Sequence, residues 1–401
     1  MFLLSLLSKE EGILFLFMGL VYVIVYKKSR IKRFFTVGLI TLLLYGFLRI
    51  VVGGAGLNLQ SAYSLAIDGK FVPIQVISLS ERLLTMPQII FYYIQIFFYP
   101  AKLAVDQLWV ITKVNNWSFY IPLFIDISFF AGAVYLLFDL FHKQRKLFTV
   151  YLFFSVWFLL GLGMHLQIVP LEMTVADRWF YFFIIGLLGM FGVLLSVLGK
   201  KVKNKNILIV AGLLIVIILS IRTVIRNANW YSEISLFSHD SQIKDNYDLE
   251  LNLGADYLKD GNTAEAFIHT QKSVDMYPFV TNLYNLGVIY EYTANLPKAT
   301  EFYWKAFNGG RKQHNATIYL RLGWSLILSR NFSEAKRILS IGLSYYPADS
   351  DLLYELAMSE YQLGYQPEAL VTAEKSVSIS PTDEHNNLYI NILNKQTIQL
   401  P

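Results

Sequence analysis

The feature that most constrains this chain is a run of apolar stretches, each about as long as a bilayer is thick, that fills the first 226 residues and stops at Arg226. A helix rises about 1.5 Å per residue, so roughly 20 mostly apolar residues cross the hydrocarbon layer. Such stretches fall near residues 11–26, 34–52, 83–100, 119–141, 147–169, 178–199 and 206–225. Lipid offers no partner for backbone polar groups, so stretches of this length read as helices, which satisfy their own. The chain is expected to be all-α, with residues 1–226 forming a polytopic helical membrane domain.

Composition narrows the function classes. Of 401 residues, 55% are hydrophobic and 16% charged, against about 25% charged in an ordinary soluble chain. That balance excludes a disordered protein. The absence of cysteine removes disulfide frameworks, thiolate zinc sites, iron–sulfur clusters and cysteine nucleophiles. The six histidines are scattered without ligand spacing, so no metal or resident cofactor is expected. Residues 1–226 carry 21 Lys and Arg against 9 Asp and Glu, and residues 227–401 carry 13 against 20. A nucleic-acid partner would call for a basic soluble half; here that half is acidic.

The positive charge sits in three connections: Lys27, Lys28, Arg30, Lys32 and Arg33; Lys143, Arg145 and Lys146; Lys200, Lys201, Lys203 and Lys205. The positive-inside bias puts all three in the cytoplasm. Residues 34–52 then run outward and residues 119–141 inward, so residues 53–118 must cross an even number of times. The stretch 83–100, bounded by Pro87 and Pro100, is accordingly read as a re-entrant or interfacial hairpin. The competing reading is that one cluster disobeys the bias. The loops 53–82, 101–118 and 166–178, and everything after residue 226, fall outside. The start, MFLLSLLSKEEG, lacks the basic region of a secretory signal. Asp126 is the one acid near mid-depth, and it either contacts a proton or lipid path or hydrogen-bonds in the bundle.

Beyond Arg226 a period appears. Leu253-Gly254, Leu286-Gly287 and Leu322-Gly323 recur, as do Ala266, Ala299, Ala335 and Ala369, while Pro278, Pro347 and Pro381 close units. Small residues let paired helices approach and proline ends the second helix. This resembles four tetratricopeptide repeats over residues 247–381, after a linker at 227–246 and before a capping helix and tail at 382–401. The fourth unit has Ala357 for glycine and the second Arg311 for proline. Counting along the first helices puts Tyr284, Val288, Tyr292, Trp324, Tyr354, Met358 and Tyr361 on the concave face, as a peptide- or protein-binding groove or as contacts to neighbouring helices. Asn252 and Asn285 match the family's asparagine ladder; Arg321 and Glu355 interrupt it.

Four strings carry a further resemblance: LLSKEEG (6–12), RLLTMPQIIFYYIQIFFYPAKLAVD (82–106), ADRWFYFFIIG (176–186) and RNANWYSEISLF before the repeats. Their order resembles the second half of the transmembrane and tetratricopeptide-repeat O-mannosyltransferases and their bacterial relatives, in the GT-C glycosyltransferase superfamily. The resemblance implies transfer of a sugar from a polyprenyl-phosphate donor to an acceptor on the outer face of a membrane, in bacteria the inner membrane. Lys9 and Arg178 are its candidates for the lipid phosphate and Asp177 its acidic candidate. Asp177 and Arg178 could equally cap and anchor the next helix. The superfamily's essential acidic motif belongs to a first outer loop expected upstream of Met1. Asp68, Asp106, Glu172 and Asp177 stand apart in the outer loops, so no catalytic residue is assigned. A membrane-anchored, non-catalytic scaffold is the alternative. His239-Asp240 reads as a solvated pair in the linker.

Overall fold

The computed structural model describes residues 2–53, 73–200, 205–309, 315–398 and 400. Asp68, Lys201, Lys203 and Arg311 lie outside them. The chain is all-α: eighteen α-helices, with one isolated bridge between Gln107 and Val175 and no strand among the described residues. Two compact units divide at Asp245 and Asn246.

The first unit contains α1 (Phe2–Ser8), α2 (Ile13–Tyr26), α3 (Ile31–Gly53), α4 (Leu79–Phe98), α5 (Ile121–Lys143), α6 (Arg145–Met164), α7 (Phe180–Gly199), α8 (Lys205–Asn229) and α9 (Glu233–Ile243). Five segments are long and apolar enough to cross a membrane: Lys28–Val51, Asn116–Lys143, Arg145–Met164, Asp177–Gly199 and Asn206–Asn229. Of the other two expected stretches, α2 is an apolar helix of 14 residues. The second, α4, carries Glu81, Arg82, Gln88 and Gln95 along its length.

Residues 83–100 do not themselves fold back. A capping box starts α4, in which the Ser78 side chain accepts from Glu81 N while Glu81 accepts from Ser78 N. Pro87 deprives the helix of a single donor, and the chain stays helical until Tyr99, before Pro100. The return leg is the non-helical segment that follows. Ile111 N donates to Thr85 Oγ1 at 3.1 Å and Gln107 Nε2 to Tyr92 Oη at 3.2 Å. These antiparallel links make residues 79–115 a helix-and-extended hairpin.

Helices α6 and α7 approach most closely through glycine. A Cβ built on Gly186 would lie 2.5 Å from Phe158 N, a backbone atom that cannot yield cheaply. The buried rings of Phe158 and Phe183 fill the space around this contact. Helix α8 is long and apolar enough to cross a membrane, and none of its most apolar window is buried in protein. Asp126 on α5 is buried, and neither carboxylate oxygen has a hydrogen-bond partner. The hydrogen bond considered for it in the bundle is not made.

The second unit is a solenoid of helix pairs: α10 (Tyr247–Lys259) with α11 (Thr263–Met276), α12 (Val280–Tyr292) with α13 (Leu296–Gly309), α14 (Ala316–Leu328) with α15 (Phe332–Tyr345) and α16 (Ser350–Gln362) with α17 (Gln366–Ile379). Each pair turns through one left-handed residue: Gly261, Ala294, Arg330 and Gly364, with φ of 79°, 55°, 57° and 83°. At each turn the next N–H reaches back to the carbonyl five residues earlier, as from Asn295 to Tyr290 at 2.8 Å. The recurring alanines are all fully buried where paired helices touch. Helix α18 (Asp383–Leu393) leaves through the same turn, with Lys395 at φ 55° and Gln396 N on Asn391 O. It therefore has the form of another first helix.

Candidate functional site

The polar chemistry of the first unit is built where its loops interlock. The return leg of the hairpin aligns with the segment before α7: Gln107 N donates to Val175 O, Thr174 N to Gln107 O, and Trp109 N to Thr174 Oγ1. Gln167, fully buried with φ 59°, holds the turn of that segment by donating to the carbonyls of Met173 and Thr174. Arg82 on α4 donates to Gln167 O at 2.9 Å. At the tip, Arg222 on α8 donates to the carbonyls of Pro100 and Ala101 at 3.0 and 2.8 Å.

Within this frame two carboxylates gather around one arginine. Arg226 donates Nη1 to Asp240 Oδ1 at 2.7 Å and Nη2 to Oδ2 at 3.1 Å. Asp240 also accepts from Val105 N at 2.7 Å, and His239 Nδ1 lies 2.8 Å from Oδ1. Asp177 accepts a 2.6 Å bond from Tyr92 Oη and another from the backbone of Ala104, and it feels the charges of both Arg226 and Asp240. Gln107 bridges the Tyr92 hydroxyl to Trp109 Nε1. Each polar group is matched to a partner, as burial demands.

Asp240 is thus no solvated linker group: it is completely buried. The helix α9 turns back so that its carboxylate meets a guanidinium one helix earlier. Three of the four sequence strings meet here. RLLTMPQIIFYYIQIFFYPAKLAVD supplies Tyr92 and Ala104, ADRWFYFFIIG supplies Asp177, and the string beginning at Arg226 supplies that arginine. LLSKEEG supplies Glu11, whose Oε1 is 3.8 Å from His165 Nε2. His165 in turn lies against the ring of Trp179, with centroids 5.1 Å apart.

Lys9 and Arg178 occupy the rim of this unit rather than its interior. Lys9 pairs with Glu11 at 3.1 Å and Arg178 with Glu172 at 2.9 Å, and both side chains are exposed. Asp177 alone of the three candidates enters the buried network. Local sequence does not single out Arg226, Asp240 or Tyr92 as site residues; the place of Arg226 and Tyr92 within the strings is a signal for those two, and Asp240, beyond the last string, has none.

In the solenoid the groove residues divide into two groups. Tyr292 is exposed at 73%, while Tyr284, Val288 and Trp324 are half-buried. Tyr284 packs its ring against Tyr303, and Arg321 bonds Glu291 at 2.8 Å from one first helix to the preceding one. Tyr303 donates to the same glutamate, and burial raises its hydroxyl pKa well above the usual phenol range. The second group is covered. Tyr354 stacks on His385 of α18 at 5.0 Å, Met358 is buried, and Tyr361 Oη donates to Gln396 O at 2.9 Å. Gln362 Nε2 donates to Ile398 O at 3.1 Å. No group of His, Cys, Asp and Glu able to hold a metal occurs among the described residues.

No protein-family model matches the chain, and no curated protein does. Solved structures similar to it are repeat proteins. YrrB, described as a TPR protein with an unusual peptide-binding site, is 14% identical with a TM-score of 0.36, over 40% of this chain and 81% of that one. MamA of Desulfovibrio magneticus RS-1 is 19% identical with a TM-score of 0.34, over 37% and 85% of the two chains. A MamA from AMB-1 is 23% identical with a TM-score of 0.34, over 40% and 93%. The tetratricopeptide-like character of α10–α18 stands on the helix pairs and their repeated left-handed turn.

Proposed function

We propose that this chain is an integral membrane protein whose repeats hold an extended polypeptide on the extracytoplasmic side. The observation that carries this reading is the grip on residues 396–398. Side chains of a first helix, Tyr361 and Gln362, donate to alternate backbone carbonyls of a non-helical segment, and Ile398 packs on the solenoid core. Bonds to main-chain carbonyls recognise an extended chain whatever its sequence. Tyr284, Asn285, Tyr292 and Trp324 offer equivalent groups on the earlier helices. A photo-crosslinking residue at Tyr292 should yield polypeptide adducts in cells, lost when Trp324 becomes alanine. An adduct pattern indifferent to Trp324→Ala would sink the groove.

The hairpin of residues 79–115 supports a topology with six crossings, α2, α3, α5, α6, α7 and α8, and all three basic connections in the cytoplasm. Non-helical backbone at membrane level is tolerated where protein buries it, and Arg222 and Gln107 do so here. Asn115→Cys in this cysteine-free chain should react with an impermeant thiol reagent from outside; reaction only from the cytoplasm overturns the topology.

A second reading, a transferase of the GT-C type using a polyprenyl-phosphate sugar, is favoured by the convergence of three of the four strings on Tyr92, Asp177 and Arg226. In it Lys9 and Arg178 meet the lipid phosphate and Asp177 serves the acceptor. Against catalysis, and for a scaffold, Asp177 and Asp240 are both committed to bonds that hold the loops. Incubating the reconstituted chain with a polyprenyl-phosphate sugar and acceptor peptide distinguishes them: sugar transfer abolished by Asp177→Asn supports the enzyme, and its absence supports the scaffold.

A further inference from the structure

The end of the first unit opposite the interlocked loops carries a cleft of about 460 Å³, lined by Gln144, Arg145, Lys146, Leu147, Ser196 and Lys200. It brings together two basic connections far apart in sequence, the α5–α6 corner and the end of α7. Lys200 Nζ donates to Gln144 Oε1 at 2.6 Å, which fixes one wall. The Arg145 guanidinium lies 3.8 Å over the Phe141 ring, which holds its position without neutralising it. Among the described residues no acid lines the cleft, and the nearby Asp139 is taken by Lys143. The first turn of α6, which forms the floor, has neither an acidic residue nor a side-chain cap.

We propose that this cleft binds the phosphate oxyanion of an acidic phospholipid. Three uncompensated cations supply the charge and the hydrogen-bond donors that a phosphodiester needs. The apolar flank fits acyl chains: Phe141, Leu195 and Leu198, on the helices that end at the cleft, are exposed at 37%, 46% and 48%. A soluble phosphate would use the cations and ignore that flank. Occupancy would tie α5, α6 and α7 together at their cytoplasmic ends, where the cleft walls otherwise repel one another. The proposal rests on the membrane reading above.

The full chain, purified in neutral detergent, tests it by thermal unfolding with increasing phosphatidylglycerol, phosphatidylcholine or inorganic phosphate. Phosphatidylglycerol should raise the midpoint saturably and phosphatidylcholine should not. At about a fivefold affinity loss per neutralised cation, the triple variant Arg145→Gln, Lys146→Gln, Lys200→Gln should bind about a hundredfold more weakly. The variant Lys27→Gln, Lys28→Gln, Lys32→Gln, in the separate basic connection, should bind as the parent does. If the triple variant does not fold, exposed Lys200→Gln alone should cost about fivefold. Equal response to the two lipids, or equal loss in both triple variants, overturns the site. Protection by millimolar phosphate equal to that by phosphatidylglycerol keeps the oxyanion site and reassigns its source to free phosphate. A chain released from membranes by alkaline carbonate would fail the membrane reading itself; lipid indifference in a chain that resists release fails this proposal alone.

Discussion

The guanidinium of Arg226 grips the carboxylate of Asp240 through two bonds of 2.7 and 3.1 Å, in a site where Asp240 is wholly buried. Asp240 passes this grip to the hairpin by accepting from Val105 N. A pair taken this far out of water adds little net stability, but removing one partner strands a charge. Asp240→Asn or Arg226→Gln should therefore each lower stability by about 3–5 kcal/mol. The double variant should lose less than the sum, and a thermodynamic cycle on detergent-solubilised protein measures the difference.

Tyr92 and Asp177 form the second link between hairpin and loop. Tyr92→Phe removes the 2.6 Å donor while leaving the ring packed on Tyr93. A bond to a charged acceptor is worth about 1.5–3 kcal/mol, and the loss should appear as a lowered unfolding midpoint. Combined with Asp177→Asn the penalty should shrink, because the stranded acceptor is no longer charged.

The contact of α6 with α7 depends on the absence of one methyl group. Gly186→Ala would drive a Cβ into the backbone of Phe158, and overpacking of this kind costs about 1–3 kcal/mol. Gly192, on the same helix, has nothing within 4 Å of the corresponding position. Gly192→Ala, which meets no clash and gains the better helix former, should not lower the melting midpoint, which makes it the matched control.

The solenoid turns give a prediction of opposite signs. Ala294 and Gly364 occupy equivalent left-handed positions, at φ 55° and 83°. An L side chain pays about 1–2 kcal/mol there and glycine does not. Ala294→Gly should stabilise the repeats by about 1 kcal/mol and Gly364→Ala should destabilise them by a similar amount. Chemical denaturation followed by circular dichroism reads both.

These cases show what local sequence can carry. The repeats were legible because each helix pair is held by near neighbours: Leu286-Gly287 meets Tyr303 of the partner helix, and the spacing of Ala266, Ala299, Ala335 and Ala369 repeats the contact. The long apolar helices were legible from length alone. Proline at both ends of residues 83–100 suggests breaks that the structure does not have: α4 continues through Pro87, and the return leg comes from Gln107 and Ile111 beyond it. The burial of Asp240 was invisible for a different reason. Nothing in the composition around His239-Asp240 signals that α9 folds back on Arg226 and Val105, and such contacts are set by tertiary structure. The shift of Tyr354 and Tyr361 from open groove to covered surface has the same origin, in a tail whose path no periodicity encodes.

Glu355 stands where the asparagine pattern breaks, buried to 9% exposure, and its Oε2 has no hydrogen-bond partner. Burial, reinforced by Asp351, raises its carboxyl pKa well above the usual carboxylate range, against the opposing charge of Arg321. A carboxyl whose pKa is higher folded than unfolded gives stability that is complete below the unfolded value, about 4.3, and is lost as pH rises through the folded value. The solenoid should accordingly lose stability as pH increases over that window. Glu355→Gln keeps the shape and removes the titration, so it should be more stable than the parent at neutral pH and show a flatter profile. Thermal midpoints of the two proteins from pH 4 to 8 should converge at the acid end and separate toward the neutral end. Parallel profiles would mean that Glu355 titrates alike in the folded and unfolded states and that the buried-neutral account of this position is wrong.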